Sequence, residues 1–162
     1  VATQPKPKAP PIPELVGATA APIVLGRGIT RASFDIHAPT GPARLRPDGM
    51  PRRVILGVEN INSETMPPAF KLYLNLPPNE SPERHPELFA GNLPLFGLPD
   101  ASELRRDHPN NGLGYNLVVT DLYIHLAVAR GWDRKTVQLY FVAGPWDSPF
   151  VVTVGRVSMS FE

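Results

Sequence analysis

Four histidines, His37, His85, His108 and His125, have the widest chemical reach in this sequence, because imidazole both binds metals and moves protons near neutral pH. No two of them stand four apart, the separation that puts two imidazoles on one helix face. Ordinary loop and strand roles account for all four; the one pair placed to share a surface metal is His85 and His108, each followed by proline in a polar stretch. The carboxylates Asp100, Glu103, Asp107, Asp121 and Asp133 are scattered through turns and helix ends, where they satisfy backbone amides. There is no GxSxG elbow, and Gly26 and Gly28 lie between two strand-like stretches rather than before a helix, so they cradle no phosphate. Asn79, Glu80 and Ser81 match a glycosylation acceptor, but Pro82 follows and a plain loop is the better reading. No catalytic residue and no metal ligand is assigned on these grounds.

The apolar residues of GNLPLFGLPD are a different case. Leu93, Leu95, Phe96 and Leu98 stand between glycines and prolines that interrupt a regular ladder and favour a tight, projecting loop. Two placements suit such a tip: against a partner surface, or folded back so that Phe96 enters its own core.

The elements that position this loop follow from length and periodicity. A chain of 162 residues suits one domain with one core. Charged residues make up 19% and the formal net charge is +1, so no basic field favours nucleic acid. No apolar run approaches the roughly 18 residues that cross a bilayer, and no membrane partner is expected. The absence of cysteine removes disulfides, thiolate metal sites and cysteine nucleophiles. Five of the 21 prolines fall within residues 1–13, which read as an extended tether, with a single folded domain over 14–162.

Strand signals then recur with turn residues between them. Ala32, Phe34 and Ile36 alternate with polar neighbours; Val54, Leu56 and Val58 form the next apolar face; Phe70, Leu72, Leu74 and Leu76 form another, stopped by Pro77 and Pro78. The stretch around LFAGNL, then Tyr115, Leu117 and Val119, then Val137, Leu139 and Phe141 continue the pattern. In the final stretch Val157, Met159 and Phe161 share a parity, and a bulge at Gly155 would let Val152 and Val154 face inward as well. One helix is expected over 120–130, capped by Thr120 or Asp121, buried through Leu122, Leu126 and Ala129, and ended by Gly131. The sum is a mainly β fold, a sandwich of about seven strands with one short helix.

Taken in order, ELVGATAAPIVLG, ILGVENI with FKLYLNLP, ELFAGNLPLFG, VVTDLYIHL and VVTVGRVSMSF resemble the C-terminal β-domain of bacterial tyrosinases and polyphenol oxidases, the dicopper group that includes the haemocyanins. The resemblance implies a β-sandwich that covers the dicopper pocket of a helical catalytic domain and inserts an apolar side chain where a phenol ring would bind, holding the enzyme latent. Carried onto this chain, Phe96 is the plug and Leu95 the second choice, with Asn92, Leu93, Pro94, Gly97 and Leu98 as the contact loop. The two coppers would belong to that partner domain, on the same polypeptide or a separate chain. This chain, with four histidines, lacks the six imidazoles that such a centre needs, and no oxidase activity is expected of it alone. A second reading is a self-standing carbohydrate- or protein-binding sandwich presenting Trp132, Trp146 and Tyr73. A third is a small hydrolase built from dispersed His and Asp residues.

Overall fold

A computed structural model describes residues 4–5, 12–41, 45–95 and 112–162. Among these residues nine strands form two antiparallel sheets: β1 (Glu14–Ala18), β2 (Ile23–Leu25), β3 (Ile29–Asp35), β4 (Val54–Ser63), β5 (Phe70–Leu74), β6 (Phe89–Leu93), β7 (Leu113–Val118), β8 (Thr136–Ala143) and β9 (Val152–Phe161). One sheet has the order β1-β9-β4-β7, with β2 also on β9, and the other β3-β8-β5-β6. Their inner faces share one core, with Phe70, Phe141, Leu56, Leu139 and Met159 among its largest side chains. The mainly β sandwich expected from alternation is therefore present. Beyond the seven counted, β1 and β2 are five and three residues long and run end to end along β9. β2 is the strand-like stretch before Gly26, whereas β1 offers too few alternations to be counted from sequence.

The long central pair, β4 and β9, holds one register from Val54↔Phe161 to Ser63↔Val152. Inward residues change parity on both strands at the same level. On β4, Val54, Leu56 and Val58 give way to Ile61 and Ser63; on β9, Val152 and Val154 give way to Val157, Met159 and Phe161. The inward placement of Val152 and Val154 is as expected, but the irregularity sits on the other strand. Val58 pairs with Tyr115 and Ile61 with Leu113, so β4 carries one residue more than β7, and Asn60 takes it up at φ 58°. Gly155 lies opposite. A Cβ there would stand 2.7 Å from that of Asn60, so the glycine makes room for the bulge rather than forming it.

Among the described residues there is one α-helix, α1 (Thr120–Ala129), which follows β7 directly. Neither expected cap forms: Val119 occupies the N-cap position with no side-chain bond to the helix. The Thr120 hydroxyl instead accepts the Val54 N–H at 3.0 Å, stitching the helix start to β4. Its buried residues are Leu122, Tyr123 and Leu126, while Ala129 is exposed. Tyr123 wins the inner position because it stacks edge-on against Trp132 and Phe161, at 5.1 and 5.4 Å between ring centroids. Gly131, at φ 64°, provides the expected left-handed exit.

Candidate functional site

β6 ends at Leu93 and β7 begins at Leu113; between them the described residues stop at Leu95 and resume at Gly112. Phe70 pairs with Leu93 and Ile61 with Leu113, which places both roots at the same end of the sheets. They also lie beside each other. Gly91 of β6 backs onto Leu117 of β7, where an added Cβ would come within 2.8 Å of the leucine side chain. The Tyr115 hydroxyl then donates to the Pro94 carbonyl, joining the two stems across the gap between the sheets. On the returning stem the Gly112 N–H donates to Asn60 Oδ1 at 3.1 Å, and a Cβ on Gly112 would collide with the Asn60 backbone at 2.4 Å.

Of the residues expected in the contact loop, Asn92 and Pro94 are exposed and Leu93 is buried. Leu95, the second choice for a plug, is only 2% exposed and packs into the core of its own sandwich. With β6 ending at Leu93, both leucines turn inward while Pro94 turns out, so the side chain of Leu95 is used in anchoring the stem. Phe96, Gly97 and Leu98 lie outside the described residues.

Three turns surround the roots: 26–28, 64–69 and 144–151, joining β2 to β3, β4 to β5 and β8 to β9. They and the adjoining strand ends expose Val24, Ile29, Met66, Trp146 and Val151, with the Trp146 ring 39% accessible. The charged residues of the three turns are Arg27, Glu64 and Asp147, and Lys71 is exposed at the start of β5. The opposite end, where the chain enters at Glu14, is densely charged. There His85, between the short 3-10 turns Pro82–Arg84 and Pro86–Leu88, bonds to Glu80 and to Glu87 Oε1 at 2.9 Å, and Arg130 reaches the same Glu87 oxygen at 2.6 Å. The bonds from Glu87 and Glu80 raise the His85 pKa, and the His85 bond lowers that of Glu87. Arg46 with Asp48 and Arg53 with Glu162 add ion pairs at this end.

Histidine chemistry does not converge. His37 serves the sheet contact through its N–H, donated to Val16 at 2.9 Å, and His125 lies on α1. His85 is engaged by carboxylates, and His108 lies outside the described residues. Among the described residues no group of three or more histidines and carboxylates could hold a metal. Asp133 plays the expected turn role, accepting the Lys135 N–H at 3.0 Å. Asp100, Glu103 and Asp107 are outside the described residues. A cleft of about 280 Å³ beside Phe89, Val119 and Leu122 contains one carboxylate, Asp121, and no histidine.

Nor do Tyr73, Trp132 and Trp146 form a shared platform. Tyr73 is buried against Phe89, its ring centroid 5.4 Å away, and the Trp132 indole donates to the Thr136 carbonyl at the charged end. Trp146 stands alone of the three at the loop end. Sequence reasoning missed Asn60 and Tyr115 at the loop roots. The available signals were an asparagine interrupting the alternation in VENIN and a glycine directly before β7.

Comparison with known proteins bears on this arrangement. A family model described as a domain of unknown function, DUF7868, matches residues 12–162. Tyrosinase HcTyr1 of Hahella sp. (strain CCB-MM4) is 28% identical over 166 aligned positions, covering 99% of this chain but 35% of the length of that protein. The solved structure of latent apple tyrosinase MdPPO1 superposes with a TM-score of 0.51 at 20% identity, over 86% of this chain and 27% of the other, and shows a shared fold. The chain thus spans about a third of the tyrosinase it resembles in sequence.

Proposed function

The chain belongs to the DUF7868 family, and from that footing we propose that it is the C-terminal shielding domain of a tyrosinase-like dicopper phenol oxidase, inserting the side chain of Phe96 at the substrate mouth to keep the enzyme latent. The observation that carries this reading is the alignment of nearly the whole chain with only 35% of a tyrosinase, which leaves room in such a protein for a separate catalytic domain. That helical partner would hold the two coppers, whose chemistry is the oxidation of phenols by dioxygen. The residues of this chain bind and exclude. The described turns at this end expose apolar side chains and few charges, which supports the same reading, because desolvating such turns against a partner costs little compared with burying charges.

Magnitudes fit. A lid that is closed 99% of the time needs about 2.7 kcal/mol, half of a full population switch, and burying one phenylalanine supplies roughly 1.5–3 kcal/mol.

The test is to add the chain to its copper-loaded catalytic domain and follow diphenol oxidation. Suppression is expected, with Phe96→Ala a weaker suppressor. Equal suppression by the two would remove Phe96 from the role, and none by either would remove the shielding function.

A further inference from the structure

The connection from β5 to β6, residues 75–88, is fixed to the sandwich by Leu76, Pro82 and Leu88, all buried. From Pro77 onward its backbone bonds close within the stretch: Glu80 donates to Pro77, Arg84 to Ser81, His85 to Pro82 and Leu88 to His85. That is the short-range pattern of 3-10 turns, whose hydrogen-bond geometry is poorer than that of an α-helix. His85 lies between the two turns with its side chain 14% exposed, and both ring nitrogens are engaged, Nε2 by Glu80 and Nδ1 by Glu87 Oε1 at 2.9 Å. A carboxylate only accepts and a neutral imidazole has one N–H, so both contacts are hydrogen bonds only when the ring is protonated. The two carboxylates lie on opposite ring nitrogens and do not converge on a metal.

Arg130, at the C-cap of α1, reaches Glu87 Oε1 at 2.6 Å and comes within 3.4 Å of His85 Nδ1. Glu87 is thereby shared between two cations, one on the connection and one at the end of the helix. Among the described residues, Glu80, Glu87 and Arg130 are the charged groups that face the ring; Glu83 and Arg84, on the first turn, are exposed. With the imidazolium the cluster is neutral, and without that proton it is left with a net negative charge.

We propose that His85 is a proton-operated latch: as imidazolium it joins both carboxylates and fastens the connection, through Glu87, to the C-terminal end of α1, and on losing its proton it releases Glu87 while keeping Glu80. The choice of retained bond follows from the geometry. A proton left on Nε2 is still donated to Glu80, while the bare Nδ1 faces a donor, Arg130. The other tautomer would set a bare nitrogen against the Glu80 carboxylate and bring an N–H up to the guanidinium. Bonds from Glu87 and Glu80 raise the His85 pKa, so the latch is closed below the ordinary value of 6.5 and opens as pH rises through the raised one. The inference is independent of the shielding reading.

The experiment follows the His85 ring nitrogens by NMR, together with amide hydrogen exchange of the chain at one pH below and one above the His85 titration, both above the carboxylate range and both corrected for the intrinsic pH dependence of exchange. A titration above 6.5 is expected, with the proton of the neutral ring on Nε2. Protection of the Arg84, His85 and Leu88 amides should fall about three- to tenfold across that titration, the effect of losing one partly exposed hydrogen bond. Leu56 and Met159, paired in the central strands, should keep theirs. His85→Gln should exchange at both pH values as the parent does at the higher one. Unchanged protection at the three amides would overturn the latch, and so would equal losses at Leu56 and Met159, which mark global opening. A neutral ring protonated on Nδ1 would overturn the release of Glu87. Should His85→Gln not fold, the parent's own titration decides.

Discussion

The two ends of this sandwich differ in what they can afford to bury. At the loop end, Val24, Ile29, Met66, Trp146 and Val151 are exposed around three turns whose charges are Arg27, Glu64 and Asp147. At the entry end, ion pairs and the His85–Glu80–Glu87–Arg130 cluster stay in water. A partner covering the first surface displaces water from apolar groups, a favourable exchange of about 25 cal/mol per Å². Covering the second would strip hydration from charges already half-satisfied by one another, and surface pairs of that kind return little. The contrast teaches that two ends built on one core can differ sharply in the chemistry they expose, apolar side chains at one and paired charges at the other.

The largest effect should come from the core beneath both ends. Phe141→Ala should destabilise the sandwich by about 3–5 kcal/mol, measured by denaturant unfolding, because Phe141 is fully buried in β8 between β3 and β5. Both ends should be lost together; independent melting would show that they do not share one core. Next in size, Phe96→Ala should weaken suppression of the catalytic domain by roughly 10- to 100-fold, the equivalent of about 1.5–3 kcal/mol, with little change in unfolding.

Trp146→Ser sharpens the comparison directly. Removing this partly exposed ring should weaken suppression by about 5- to 30-fold, as expected of an aromatic anchor. Val128→Ser, which alters an exposed residue of α1 at the other end, should leave suppression unchanged. Equal effects from the two would abolish the distinction between the ends.

The smallest effect is one of pH at the charged end. The folded pKa of His85 is raised by Glu87 and Glu80, so its contribution is complete below the ordinary histidine value of 6.5 and is lost as pH rises through the raised one. The Glu87 pKa is lowered, so its contribution is complete above the ordinary 4.5 and is lost as pH falls through the lowered one. Thermal stability should therefore be flattest between those ordinary values. His85→Gln should remove the decline on the alkaline side, as followed by melting temperature across a pH series, without altering suppression.

Much of the fold was legible because burial imposes a period of two. Val54, Leu56, Val58, Phe70, Leu72, Val137, Leu139 and Phe141 alternate in sequence and are all buried in the structure. Where that signal was short, it failed: β1 is an edge piece held mainly by β9. Local rules also yielded to tertiary bonds. Thr120 had the chemistry of an N-cap but gave its oxygen to Val54, and Gly155 had the look of a bulge but serves the bulge at Asn60. The loop itself stood out through its glycines and prolines. Its anchoring did not, since Tyr115 and Pro94 are 21 positions apart, and Gly112 and Asn60 are 52 apart.

What the amino-acid order determined by itself was the class of fold, the helix Thr120–Ala129 with its Gly131 exit, and an apolar sequence between two strands. These depend on side-chain period and backbone preference, which are local. The tertiary structure decided which end carries the loop, which of its leucines is committed to the core, and which groups tie its stems. Those outcomes depend on strand register and sheet pairing, where residues distant in the chain meet and the free energy of each contact depends on what lies across from it.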